Sequence, residues 1–293
     1  MSRIMQYINS IGANRTKAAM TAMFGTNWPE SAKILFETDE GEIGTAAGAG
    51  LSPVIWSDCP RGIMLVDPTI GHFVGDDFTF TNTNSYTTAY DYVLAGANGT
   101  FAATAADPNG VALISAPGTD NDEANVNHAA NPGILKLDAT KNWWFEARVK
   151  ISQITTAQGV FVGLITDDIT MGVDFMTNDT MALKVQDSLG FQIIHAADAA
   201  AIWQSEMTLT GGARAAVNAT LATASTGWVK LGMKSESGAV TFYVDGVLDD
   251  EATTSATANY PLDQYVVPAF ATKCGTAAAN TLSVDWWYAA QLR

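Results

Sequence analysis

Cysteine is nearly absent: Cys59 and Cys274 are the only two in 293 residues, they lie in segments of different character, and no Cys-x-x-Cys occurs. That count and spacing give no disulfide framework, and neither thiol has the nearby His or second Cys that a zinc site requires. Positive charge is scarce as well. Fifteen Lys and Arg stand against 30 Asp and Glu, a formal net charge of −15, which argues against nucleic acid or an anionic membrane as partner of the whole surface. No run approaches the roughly 20 apolar residues of a membrane span. The segment from Met1 to Ser10 is broken by polar residues where a secretory signal needs an uninterrupted apolar stretch, so a chain made and soluble in a cytoplasm is expected. Only three histidines occur, His72, His128 and His195, in unrelated contexts, and there is no Gly-x-Ser-x-Gly elbow, so a nucleophilic triad is not expected.

What is present is apolar content of 47% in a chain long enough for one large β-sandwich plus an extension. The extension is electrically distinct. Arg3, Arg15, Lys17 and Lys33 against Glu30 make residues 1–35 net +3, leaving −18 on the rest. Ile4, Met5, Ile8 and Ile11, then Met20, Met23 and Phe24, follow the spacing of a narrow helical stripe. One or two short helices are expected, restarting at Asn14 to Thr16 after Gly12 and stopping at Gly25. The stripe packs either on its own β domain or on a neighbouring subunit. Residues 26–75 carry breakers at Pro29, Pro53, Pro60 and Pro68 and short apolar runs such as Val54-Ile-Trp56, which reads as an extended arm with short strands laid along another surface.

From about residue 76 the pattern becomes strands separated by turns. Asp77–Thr81, Gly110–Ile114 and Gly133–Leu137 begin the series, and Asp187–His195, Gly227–Lys234 and Ala239–Val244 continue it. Trp143–Ile151 is the clearest strand. Trp143, Phe145, Ala147, Val149 and Ile151 fall on one face as core, and Trp144, Glu146, Arg148 and Lys150 fall on the other as a wet face. Val160–Ile165 is almost continuously apolar, as expected for a central strand covered on both sides, and Asp245-Gly246 supplies a tight turn after Phe242-Tyr-Val244. The fold class is therefore all-β, an antiparallel sandwich, with an arm over 1–75 and the sandwich over 76–293.

The pieces Trp144-Phe-Glu-Ala-Arg-Val-Lys150, Phe161-Val-Gly-Leu164 followed by Thr166-Asp-Asp168, Trp228–Lys234, Phe242-Tyr-Val-Asp-Gly246 and Ser283-Val-Asp-Trp286 resemble the concanavalin A-like lectin/glucanase jelly roll, specifically the laminin-G-like domains of tailed-bacteriophage virion proteins. The resemblance implies a non-enzymatic structural protein, a capsid decoration or cement protein on the virion surface. Its partners would be the major capsid protein and itself, as a dimer or trimer, with no nucleic acid or membrane partner. Contact would come through the arm residues Ile4, Met5, Ile8, Ile11, Arg15, Lys17, Met20, Met23 and Phe24. The alternative is a glycan-binding receptor-recognition module of a tail or head fibre.

Glucanases of this superfamily place their catalytic acids at two-residue spacing on one strand, and no Glu-x-Asp-x-(x)-Glu run occurs here. Glu146 is flanked at that spacing by Trp144 and Arg148, so it reads as a surface carboxylate facing Arg148 or Lys150. Asp249-Asp-Glu251 follows a hairpin turn and reads as a solvated loop. Gly118–His128 presents Asp120, Asp122 and Asn125 as alternating oxygens, a pattern able to hold calcium, although the Gly and closing Glu of an EF-hand are missing; a solvated acidic loop is the alternative. Asp167-Asp168 is a second, weaker acidic pair. Adjacent tryptophans on a strand point to opposite faces, so Trp144 and Trp287 are candidates for a sugar-stacking surface, unless the arm or a subunit covers them.

Overall fold

The computed structural model describes residues 50–78, 92–96, 98–103, 110–128, 133–166, 174–178, 180–184, 187–195, 201–210 and 215–293. The arm residues from Ile4 to Phe24 and the pair Asp167-Asp168 lie outside this set. Two short helices come first, α1 (Pro53–Trp56) and α2 (Arg61–Met64). The strands are β1 (Gly71–Asp76), β2 (Tyr92–Ala95), β3 (Thr100–Ala103), β4 (Ala112–Ala116), β5 (Glu123–His128), β6 (Leu135–Lys136), β7 (Trp143–Ile151) and β8 (Gln158–Thr166). The series continues with β9 (Ser188–His195), β10 (Ile202–Thr208), β11 (Ala215–Thr223), β12 (Val229–Glu236), β13 (Ala239–Val244), β14 (Val247–Thr254), β15 (Tyr265–Cys274) and β16 (Asn280–Leu292). No described helix is long and apolar enough to cross a membrane.

The strands form two antiparallel sheets of eight. The first runs β14-β13-β12-β7-β16-β4-β3, with β1 also on β16; the second runs β11-β10-β9-β8-β15-β5-β2, with β6 also on β15. The long strands β15 and β16 organise this order. β16 has β7 along one edge and β4 then β1 along the other, and β15 likewise holds β8 against β5 and β6. Period-2 alternation then sends one set of side chains from each sheet into a shared interior. Trp143, Phe145, Ala147 and Val149 of β7 meet Val160, Val162 and Leu164 of β8, Phe191 of β9 and Phe270 of β15 there. Phe191 and Phe242 touch edge to face across the sheets at 5.7 Å.

Two further apolar clusters lie on the outer faces. Over the first sheet, α1 and α2 bring Ile55, Trp56, Cys59 and Met64 onto Trp144, Tyr243 and Ala290. The local reason is Pro53 at the first helical position, where its missing N–H costs nothing. The expected short strand at Val54-Ile-Trp56 is thus a helical turn, and the expected wet face of β7 is half covered. Glu146 is fully buried. Its Oε2 accepts the Ser52 N–H at 2.9 Å and the Trp56 Nε1–H at 2.8 Å. Burial pushes its carboxyl above the ordinary range, with the Ser52 and Trp56 donors working against that shift. Only Arg148 and Lys150 keep the expected partial exposure, flanking the Trp228 ring at 4.6 and 4.8 Å. Trp144→Ala should cost about 3–5 kcal/mol. Urea unfolding would measure it, and limited proteolysis should then cut first within residues 50–65, whose main apolar support is gone.

Candidate functional site

The outer face of the second sheet carries the densest buried polar chemistry among the described residues. On β5, Ala124 and Val126 point into the interior, so Glu123, Asn125 and Asn127 stand in a row on the opposite face. On β15 the same alternation puts Val267, Ala269, Ala271 and Lys273 outward. A hairpin strap, described over residues 174–178 and 180–184, crosses this face. It closes on itself through Thr177 N–H to Ala182 O at 2.8 Å and Lys184 N–H to Phe175 O at 2.9 Å. Its Phe175, Met176 and Leu183 pack on Phe161, Ile165, Val267, Ala269 and Ala271, and the Phe161 and Phe175 rings lie 4.9 Å apart. Gly159 admits the strap: a Cβ there would sit 2.5 Å from the Met176 sulfur and 2.9 Å from the Met181 Cβ.

Polar bonds fix the strap in place. The Glu123 carboxylate accepts the consecutive backbone N–H groups of Phe175 and Met176, together with the Asn125 side-chain amide at 2.8 Å. Lys273 Nζ reaches Glu123 at 3.2 Å and Asp174, the first described residue of the strap, at 2.9 Å. Lys273 and Glu123 are fully buried and the Asp174 side chain is 19% exposed. Burial pushes the Glu123 carboxyl upward, and the Asn125 amide and the Lys273 charge lead the opposing influences. Farther along, the Gln192 amide donates to Met181 O at 2.8 Å. Between strap and sheet, Asn125, Asn127, Ile165, Phe175, Ala269 and Ala271 line a shallow, tightly closed depression. Asn127 is 4% exposed, and its Oδ1 has no hydrogen-bond partner among the described residues.

The residues singled out in the sequence fall elsewhere. Trp144 is fully buried beneath α1 and α2 and donates its Nε1–H to Asp58 at 3.1 Å. Trp287 is a core residue, 1% exposed, bonded to the Tyr92 hydroxyl at 2.8 Å. Neither indole offers a sugar an open face, which corrects that expectation. The reason at Trp287 is a β-bulge: β16 pairs Val284 with Val149 and Trp286 with Arg148, so Asp285 is an extra residue that turns Trp287 inward instead of Trp286. Asp285 pairs with Arg148. Asp120 is exposed, while the Asp122 carboxylate accepts the Asn98 amide at 3.0 Å and the Thr119 N–H at 2.9 Å. The Asn98 bond above all holds the Asp122 carboxyl below its usual range. With both Asp122 oxygens engaged and Asn125 turned to the sheet face, these residues do not converge on a cation; among the described residues no three His, Cys, Asp or Glu side chains cluster as a metal site. Cys59 and Cys274 are both buried, and no disulfide joins them.

Sequence reasoning missed the Glu123, Asn125 and Asn127 row because Glu-Ala-Asn-Val-Asn-His reads as an acidic loop. The usable signal was its period of two, with small or apolar residues at 124 and 126.

No family model matches the chain, and no curated protein matches it in sequence. Solved structures do match its architecture. Peanut lectin with a 9mer peptide aligns with a TM-score of 0.53 at 10% identity, over 76% of this chain and 98% of the lectin. A glycoside hydrolase family 16 endo-glucanase from Bacteroides ovatus, in complex with G4G3G-2F-DNP, aligns with a TM-score of 0.50 at 9% identity, over 73% of this chain and 98% of the enzyme. The fold is therefore the concanavalin A-like jelly roll shared by lectins and family 16 hydrolases. The same finding corrects the expectation of a non-enzyme. A hydrolase shares this architecture as a lectin does, so the fold gives no ground for setting catalysis aside. Replacing Lys273 with Met, which strands Glu123 as a buried and uncompensated charge, should cost about 3–5 kcal/mol in chemical denaturation; a loss below 1 kcal/mol would contradict the ion network described here.

Proposed function

We propose that this sandwich recognises carbohydrate on the outer face of its second sheet, at Asn125 and Asn127 beside Phe175. The observation that carries the reading is Asn127, a buried amide whose Oδ1 lacks a hydrogen-bond donor among the described residues and which lines the same depression as an aromatic ring. A sugar presents that combination of needs: hydroxyl groups that donate to an amide oxygen and an apolar C–H face that packs on a ring. The shared fold supports it, since a lectin and an oligosaccharide-bound endo-glucanase have the same architecture. The capsid-decoration reading has no comparable support, and its anchoring residues lie outside the described set. On a phage fibre, the other setting the sequence resemblance suggests, such a site would bind host glycan.

The test is a glycan array followed by calorimetric titration of the full chain, with the same mixtures assayed for newly formed reducing ends so that turnover is detected if it occurs. Saturable binding is expected, weakened at least tenfold by Asn127→Leu. The same variant should raise the melting temperature by a few degrees. An unpartnered buried amide costs about 1–3 kcal/mol, and 1 kcal/mol corresponds to about 2–4 °C in a chain of this size. Undiminished affinity in Asn127→Leu would sink the site assignment.

A further inference from the structure

We propose that the strap over residues 174–184 is a latched lid on the Asn125–Asn127 site, with Asp174 as its release point and a neutral, hydroxyl-bearing ligand as what its opening admits. The carbohydrate reading underlies the identity of that ligand, whereas the lid itself rests on geometry alone.

In the closed arrangement the Asn127 oxygen is sealed with no donor among the described residues, and the depression around it leaves no room for a water molecule. Closure therefore carries an unrelieved polar cost that opening removes, because solvent or ligand then reaches the amide. Opposing that cost are the apolar contacts of Phe175, Met176 and Leu183 with the sheet and a compact polar latch. Two consecutive N–H groups of the strap end on one carboxylate, and one buried ammonium ties that carboxylate on β5 to Asp174 on the strap. Lys273 and Glu123 are sealed from solvent, and Asp174 is the member that water reaches. The strap keeps its own two cross-bonds wherever it sits, while β8 and β15 beneath it are bonded on both edges at the centre of the sheet. The moving unit is thus the hairpin, pivoting on a rigid floor. Lys273 stays paired with Glu123, so what the opened site offers an incoming molecule is an amide oxygen seeking a hydroxyl donor, over which the strap brings the ring of Phe175 as it closes again. That combination favours a neutral polyol over an anion or a cation.

Hydrogen exchange followed by mass spectrometry on the full chain tests this without any ligand. In the unmodified protein, residues 174–184 should exchange faster than β8 and β15. Asp174→Asn keeps Lys273 paired with Glu123 but weakens the latch, and should speed exchange of 174–184 about tenfold with β8 and β15 unchanged. Asn127→Leu removes the cost of closure and should slow it. If 174–184 exchanges in step with β8 and β15 in all three proteins, the strap is a fixed part of the core and the lid is overturned. Faster exchange in Asp174→Asn with none of the slowing in Asn127→Leu overturns the link between lid and amide. A glycan array without binders would count against the carbohydrate reading while leaving these exchange rates to decide the lid.

Discussion

Each sheet keeps a glutamate on its outer face, and each glutamate accepts the N–H groups of the segment that covers it. Glu146 on β7 takes Ser52 and Trp56; Glu123 on β5 takes Phe175 and Met176. A sandwich of two sheets normally leaves its outer faces to water, and placing apolar residues there calls for a cover whose own backbone groups are satisfied. The carboxylates provide that satisfaction. Around them the two satellite clusters form, with Trp144, Tyr243 and Ala290 under the helical turns and Phe161, Ile165 and Ala269 under the strap.

The two clasps differ in electrostatic balance. Glu123 has an ammonium within its hydrogen-bonding shell, whereas the Ser52 and Trp56 donors to Glu146 are neutral and its second oxygen has no hydrogen-bond partner among the described residues. A buried charge without a counter-ion is expensive. Burial pushes both carboxyls upward, and at Glu146 the Ser52 and Trp56 donors oppose it ahead of the Lys230 charge. The cover over the first sheet consequently relies more on apolar contact, with Trp56, Ile55 and Met64 buried. The strap over the second sheet adds a buried ion pair to its own apolar contacts.

How much of this was legible in the sequence follows from where polar side chains sit. The inward face of β7 was plain because five apolar residues alternate without interruption, and β8 was plain because both of its faces are apolar, the outer one under the strap. Phe242 to Asp249 was legible as a hairpin because Asp245-Gly246 adopts the positive φ that such a turn demands. The outer face of β7 was misread because Glu146 looks solvated from sequence, and only the helical turns over it, some 90 positions earlier in the chain, take it out of water. β5 was missed because its outward residues are acidic and amide side chains, and those same residues make the candidate site. Local polarity signals exposure, and here long-range packing reversed the signal at the positions that carry chemistry.

Asp285 shows how a strand can carry cargo without disturbing its packing. Because Val284 and Trp286 face adjacent residues of β7, Asp285 occupies no rung of the ladder. A chain shorter by that one residue would keep Leu282, Val284, Trp287 and Ala289 turned inward and lose only the carboxylate that neutralises Arg148. The bulge thus makes the middle of β16 a place where one residue can be inserted or removed while the interior side chains on either side keep their places.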